Sequence, residues 1–460
     1  MLNGFRLYWL LFVLTVITAG GSTLYLSHIA HTTGTEVARE YPAPVTGVAI
    51  DNAVIAQNLL QYHTFSQSTS TPTTPDARRT PGYPFIVAGF LALFGSFYPV
   101  LILQIVTTFL TAVLIFWMAE KLMRKEWALA TAAVYLILPD TMLSAGVLYT
   151  ENFFVLFFVA GFYEFFFSER KNHYVRFALT GFLFAIATYM RPASLYVLIF
   201  FIPAYFLLYL PWQKITRAQV LAMVLLVLVF GATLAPWYVR NHEHFGVWGF
   251  TSLGAYDLFR QNGAQFYQSL TGLGPVESRY ALEDMAGIPE GPVPFDIKYS
   301  GVMQKVALEV IFSHPLKYVV FQGTSLIPFF TSAGSHDYWR FVKDMQPDNY
   351  VAAEPSIIQA LNPFSLSLTL EVLNNHGWYL LENVLWALVT ILVLVGLWRS
   401  KDVRLARIFF AIVIYFALVT GPIAHARYRI PVEPLLLVSA FSAAAYLYEN
   451  RTKKSELRTQ

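Results

Sequence analysis

Long apolar runs separated by short polar punctuation dominate the chain. Runs near residues 7–26, 98–118, 127–139, 149–167, 175–190, 193–210, 219–236, 378–398, 408–423 and 432–448 predict ten spanning helices. Crossing roughly 30 Å of hydrocarbon takes about 20 apolar residues in a helix, and a bilayer core leaves backbone groups no partner outside such an element. The first run, "LYWLLFVLTVITAGGSTLYL", exceeds a signal-peptide core and is read as an uncleaved first span. Two stretches depart from the pattern. Residues 84–118 are apolar for longer than one span and carry Gly95 and Pro99, which predicts an interfacial helix followed by a true crossing. Residues 309–331 contain Glu309, His314, Lys317, Pro315 and Pro328; a crossing there would invert the later loops, so a helix lying in the interface, or a re-entrant one, is expected.

Charge then orients the runs. The connectors "EKLMRKE", "SERKNHYVR", "PWQKITRAQ", "WRSKDVRLAR" and the tail "ENRTKKSELR" are short and basic, as cytoplasmic segments are. Both termini fall on that side. Residues 27–97, 139–150, Arg191-Pro192, 237–377 and 423–432 fall on the other. The expected organisation is an N-terminal transmembrane module, 1–236, with a first outer loop at 27–97; a large extracytoplasmic lobe, 237–377; and C-terminal helices with a cytoplasmic tail, 378–460. Within these, the Ser/Thr/Pro tract at 66–76 reads as a flexible loop. A composition 56% hydrophobic and 13% charged lies outside the range of soluble domains. The net charge of +3, scattered along the chain, gives no footprint for nucleic acid, and the absence of cysteine excludes disulfides and thiolate chemistry.

The candidate chemistry gathers on the outer side. Arg191 stands between two apolar runs, and Pro192 disfavours helix at that position, so a tight hairpin is expected to present it at a surface. "DARRTPGYP" supplies Arg78, Arg79 and Tyr83, "APWYVRNHEHFG" supplies Arg240, and "HARYRIPVEP" supplies Arg427, Tyr428 and Arg429. Guanidinium groups bind phosphate through planar paired hydrogen bonds, so arginines collected at a membrane face suit a lipid phosphate. The acids on that side are Asp51, near the start of an amphipathic helix, and Glu151, in the first turn of a span. His242 and His244 lack the further ligands that a metal site needs, and no P-loop, dinucleotide fingerprint or nucleophile elbow is present.

In order, "NLLQYHTF", "RRTPGYPFIVAGFLALFG", Pro139 leading to "TENFF", Arg191-Pro192, "PWYVRN…FG" and "RYRIPVEP" form a set that resembles the bacterial polytopic glycosyltransferases of the GT-C superfamily, the protein O-mannosyltransferase and aminoarabinose transferase group. That resemblance implies an all-α membrane fold of about ten spans with interfacial helices in the outer loops. It also implies a polyprenyl-phosphate-sugar donor, a lipid, glycan or protein acceptor, an acidic base in the first outer loop, and inversion at the anomeric carbon. No resident cofactor is called for, and a divalent cation stays an open alternative. The family's acid usually lies about ten positions before the Asn of Asn-Leu-Leu; that position here is Val48, and Asp51, one helical turn along, takes its place. Asp76 and Glu151 are the next candidates. A transporter or flippase of a lipid-linked saccharide, or a non-catalytic scaffold, are the alternatives from other classes.

Overall fold

The computed structural model describes residues 4–32, 48–210, 215–288, 296–344, 366–423 and 425–459, and every regular element among them is helical. Seven of these helices are long and apolar enough to cross a membrane, and an eighth crossing arises if Lys125–Ile137 and Pro139–Gly146, bent by 55°, form one broken span. The ten crossings expected from the apolar runs are therefore not confirmed. Pro139 restarts the chain in a new direction, because it fits the first turn of a helix but not its interior. Of the other two runs read as spans, Glu151–Phe166 is 16 residues and shorter than the crossings, and His173–Met190 is long enough at 18 residues but falls outside the set of sufficiently apolar helices.

Between the helices of a bundle in lipid, apolar contact gains little from leaving water, so close packing has to hold them together. A seam of phenylalanines does this here. Phe158 and Phe162 meet Phe184 at ring-centroid distances of 5.5 and 5.3 Å, Phe162 meets Phe201 at 5.7 Å and Phe409 at 5.8 Å, and Phe158 meets Phe416 at 5.3 Å. Edge-to-face pairs of this kind contribute about 0.5–1.5 kcal/mol each beyond area burial. At Gly181 the backbones touch: a Cβ there would stand 2.3 Å from the carbonyl oxygen of Leu226, so the approach of His173–Met190 to Arg217–Phe245 requires glycine.

Two stretches shape one end of the bundle. The tract at 66–76 is held rather than loose, because Asn58 donates through Nδ2 to the carbonyls of Ser66 (2.8 Å) and Ser68 (2.9 Å). Composition registers the polar residues but not a distant amide that fixes them. Residues 309–331 divide among three short helices, Ser300–Ser313, Pro315–Ser325 and Ile327–Thr331, two of them opened by proline, and none is long enough to cross. Together with Leu253–Tyr256, Asp257–Gly263, Ala264–Thr271 and Pro275–Met285, the Ser300–Ser313 helix closes around a separate apolar cluster that includes Phe259, Phe266, Leu282, Met303 and Val306.

Candidate functional site

The loop after Val48–Tyr62 is built to aim two arginines. Asp76 accepts the backbone N–H groups of Gln67 (2.6 Å) and Arg78 (3.1 Å), and its own N–H donates to the carbonyl of Phe65 (3.0 Å). Burial pushes the Asp76 carboxyl pKa up in spite of these donors. Arg240 braces the same turn by donating to the Asp76 carbonyl at 2.8 Å, with its guanidinium 4.7 Å from the Trp237 ring. Arg79 is thereby directed at Asp51, its Nε (3.1 Å) and Nη2 (2.6 Å) both donating to one carboxylate oxygen, while Arg78 Nη1 lies 3.9 Å from that oxygen. Burial, then the adjacent Arg79, push the Arg78 pKa down, a cost that an added anion would relieve.

A second cluster forms where three helix ends meet. Glu151 opens its helix and is fully buried. Its Oε1 accepts from Arg427 Nε at 2.8 Å and lies 3.0 Å from Arg191 Nη1, and its Oε2 accepts from Thr150 Oγ1 at 3.0 Å. Arg191 reaches it because Pro192 ends the helix His173–Met190 and leaves Arg191 extended, at φ −143° and ψ 132°; the chain then turns back into Val197–Ala204, the hairpin that the sequence predicts. Arg427 lies 4.0 Å from the centre of the Tyr149 ring, and its backbone N–H donates to Asp337 at 3.2 Å. His425 Nδ1 stands 2.9 Å from the same Asp337 oxygen. Against the rise that burial alone would bring, the neighbouring imidazoles of His336, 3.9 Å away, and His425 hold the Asp337 carboxyl well below the usual range.

Asp257 joins the two clusters. Thr251 Oγ1 donates to the Arg78 carbonyl at 2.5 Å and the Ser252 N–H to the Ala77 carbonyl at 3.0 Å, which stitches this segment to the arginine loop. Asp257 follows five residues after Ser252 and lies within electrostatic reach of Arg79, Arg78, Arg191 and Tyr428. Burial pushes its carboxyl up to about 6 even against those cations. Asp51, Arg78, Arg79, Asp257, Arg191, Tyr428, Glu151 and Arg427 thus form one charged row at the loop end of an apolar bundle.

Not every sequence candidate faces this row, and three are corrected. Tyr83 is fully buried and hydrogen-bonded to Gln104, whose amide in turn donates to the Ser144, Ala145 and Val147 carbonyls. Arg240 braces the loop from behind. Arg429 is 0% exposed: it donates to the carbonyls of Phe329 (3.0 Å) and Ser332 (2.9 Å) and to Glu433 (3.2 Å), with Trp386 at 3.6 Å. These three hold the scaffold. Glu151 and Asp76, the reserve bases, have their oxygens occupied by fixed donors, which leaves Asp51 as the partly exposed acid. Asp257, Asp337 and His425 were not found from sequence. His425 lies within the "HARYRIP" stretch, but nothing in "AYDLFRQNG" or "SHDYWRF" separates their aspartates from solvated ones. Among the described residues no group of three or more His, Cys, Asp or Glu is placed to hold a metal, so the cation alternative has no ligand set there.

The helices define the class: a multi-pass helical membrane protein, whose fold is similar to that of an archaeal oligosaccharyltransferase. Residues 78–238, which carry Arg78, Arg79, Glu151 and Arg191, match the family described as dolichyl-phosphate-mannose-protein mannosyltransferase. Among solved structures, the apo oligosaccharyltransferase of Archaeoglobus fulgidus superposes with a TM-score of 0.53 at 10% identity, over 99% of this chain and 51% of that one. The archaeal oligosaccharyltransferase AglB from Archaeoglobus fulgidus, in complex with an inhibitory peptide and a dolichol-phosphate, gives a TM-score of 0.47 at 12% identity, over 99% and 52%. The chain spans about half the length of these structures. A comparison with curated proteins found no match.

Proposed function

We propose that the protein is an integral membrane glycosyltransferase that transfers a sugar from a polyprenyl-phosphate donor to a lipid, glycan or protein acceptor at the extracytoplasmic face, with inversion. The observation that carries this reading is the partly exposed Asp51 held against Arg79 and Arg78, together with the Arg191–Glu151–Arg427 cluster. The family described for residues 78–238 uses, by its name, a donor of this chemistry.

The residues divide the work. Arg78, Arg79, Arg191 and Arg427 bind the donor phosphate, and their charge stabilises the leaving group as the bond from the anomeric carbon to the phosphate oxygen breaks. The acceptor oxygen or nitrogen forms the new bond from the opposite face, its proton passes to Asp51, and polyprenyl phosphate departs with the bonding electrons. In the resting site Arg79 covers Asp51 through two hydrogen bonds. An arriving phosphate competes for that guanidinium and uncovers the base, so donor binding precedes proton transfer. Both termini and the basic connectors lie on the cytoplasmic side in this reading, and the charged row on the other.

The test uses purified protein in detergent with a polyprenyl-phosphate-sugar donor. Wild type releases free polyprenyl phosphate in the presence of acceptor, whereas Asp51→Asn, which keeps shape and removes the base, slows release by about 10²–10⁴. Release by Asp51→Asn at the wild-type rate removes Asp51 from the role; no release by the wild type with any lipid-linked sugar overturns the function.

A further inference from the structure

The helix Gly334–Asp344 lies between the long apolar helices Arg217–Phe245 and Tyr379–Gly396, outside the stretch of chain that matches the family, and the division of labour above gives it no task. It is nevertheless fastened beside the site. Its first N–H groups, those of Gly334 (2.8 Å) and Ser335 (3.0 Å), donate to Glu382, and the Tyr338 and Ser22 hydroxyls meet at 3.0 Å. From this base one face of the helix presents Asp337 and Phe341, four residues apart, to the parts of the chain that hold Arg427.

Both residues act on that arginine. The turn Ala426–Arg429 is four residues long, too short to be stable by its own hydrogen bonds, and its first N–H groups have no partner within it. The residue before such a turn ordinarily caps them; here it is His425, whose side chain accepts none. Asp337 Oδ2 takes over, accepting the Arg427 N–H at 3.2 Å, while His425 Nδ1 stands 2.9 Å from the same oxygen. At the far end of the arginine side chain, Phe341 meets the Tyr149 ring at 6.0 Å, and the guanidinium lies 4.0 Å from the centre of that ring. Arg427 Nε donates to Glu151 at 2.8 Å, whereas its two terminal nitrogens hydrogen-bond to no described residue.

Resting on the functional reading above, we propose that Asp337 is a positioning residue for the donor phosphate: together with His425 it caps the turn that carries Arg427 and so keeps the terminal nitrogens of that guanidinium set for phosphate oxygens. A long side chain restrained at both its backbone and its guanidinium loses less freedom when the anion arrives, so each phosphate hydrogen bond counts for more. Arg79 makes the contrast. It takes its direction from a loop held by a different carboxylate, Asp76, and its contribution to phosphate binding is therefore independent of Asp337.

Calorimetric titration of the full-length protein in detergent with farnesyl methyl phosphate, a singly charged phosphodiester, tests this through two mutant cycles. Asp337→Ala is expected to weaken binding about tenfold and Arg427→Ala by about 10–100-fold. Asp337→Ala should then cost nothing further in the Arg427→Ala background, yet keep its tenfold effect in the Arg79→Ala background. A merely structural role would not distinguish the two arginines. Should Asp337→Ala fail to fold, His425→Ala, which removes the other half of the cap contact, goes through the same two backgrounds, with a loss of about threefold expected under the same criterion. Equal losses in both backgrounds, or wild-type affinity in the single variant, overturn the inference while leaving the phosphate site standing. No binding of the diester by the wild type, or undiminished binding by Arg427→Ala, overturns the reading of Arg427 as a phosphate ligand and this inference with it.

Discussion

Replacing Glu151 by glutamine removes one charge and no volume, and the cost can be worked from the contacts of that side chain. The fully buried carboxylate serves two guanidinium groups from separate parts of the chain, Arg191 and Arg427. Removing one partner of a buried ion pair costs roughly 3–5 kcal/mol, most of it the stranded charge. Here both arginines keep some access to water, with side-chain exposures of 15% and 23%, so the lower end applies, about 3 kcal/mol. For a chain of 460 residues the unfolding entropy is on the order of 1 kcal/mol/K, and the thermal midpoint should fall by about 3 °C. Nanoscale fluorimetry in detergent resolves a shift of that size. The decisive comparison is the double variant Glu151→Gln/Arg191→Ala: if stranded arginine charge is the cause, its loss should be about 1–2 kcal/mol smaller than the sum of the single losses. A wild-type midpoint for Glu151→Gln, or strict additivity in the double variant, would refute the view of Glu151 as the common counter-ion.

Two further predictions concern packing and pH. Gly181→Ala places a methyl 2.3 Å from the Leu226 carbonyl oxygen, so the two helices must part; a loss of about 1–3 kcal/mol is expected, seen as an earlier thermal transition, whereas Gly231→Ala on the facing helix, where the added Cβ meets nothing within 4 Å, should be neutral or stabilising. For Asp257 the folded-state pKa lies above the unfolded value, so the folded chain holds the proton more tightly and stability falls as pH rises from 3.8 through about 6. Asp257→Asn should therefore raise the midpoint in the empty protein at about pH 8, by the equivalent of roughly 2–3 kcal/mol, and by about half that near pH 5. Equal midpoints of variant and wild type at both pH values would show that the ionised group costs nothing.

How much of this was legible in the sequence depends on the range of the interaction. The hairpin at Arg191-Pro192 was readable because proline acts on its immediate neighbour. The membrane-crossing body followed from the apolar runs, yet the count of ten is not confirmed, since the runs at 149–167 and 175–190 form helices, Glu151–Phe166 and His173–Met190, that fall outside the set long and apolar enough to cross. Arg427 and Arg429 look equivalent on paper. Two residues apart on a helical turn they point to nearly opposite sides, one to Glu151 and the other into the core against Trp386, and only the packing of that turn decides which. Tyr83 was misjudged for a similar reason: its neighbours Arg78 and Arg79 are polar, but the buried face of Gly82–Phe94 points its hydroxyl at Gln104. Asp51 and Arg79 lie 28 positions apart and Glu151 and Arg427 lie 276 apart, and no local pattern encodes such a meeting.

The turn Ala426–Arg429 has one side in the charged row and the other clamped to Phe329, Ser332 and Glu433. Rigid anchorage on that flank contrasts with the Asp51 flank, where the partners come from a loop and from the lobe turn sewn to it. Variation is consequently permitted unevenly. Under the proposed function, exchanging residues 66–75 for those of a related chain would alter what approaches Asp51 while Arg78, Arg79 and the helix ends that carry Arg191 and Arg427 stay in place, so acceptor preference could diverge without loss of the phosphate-binding arginines.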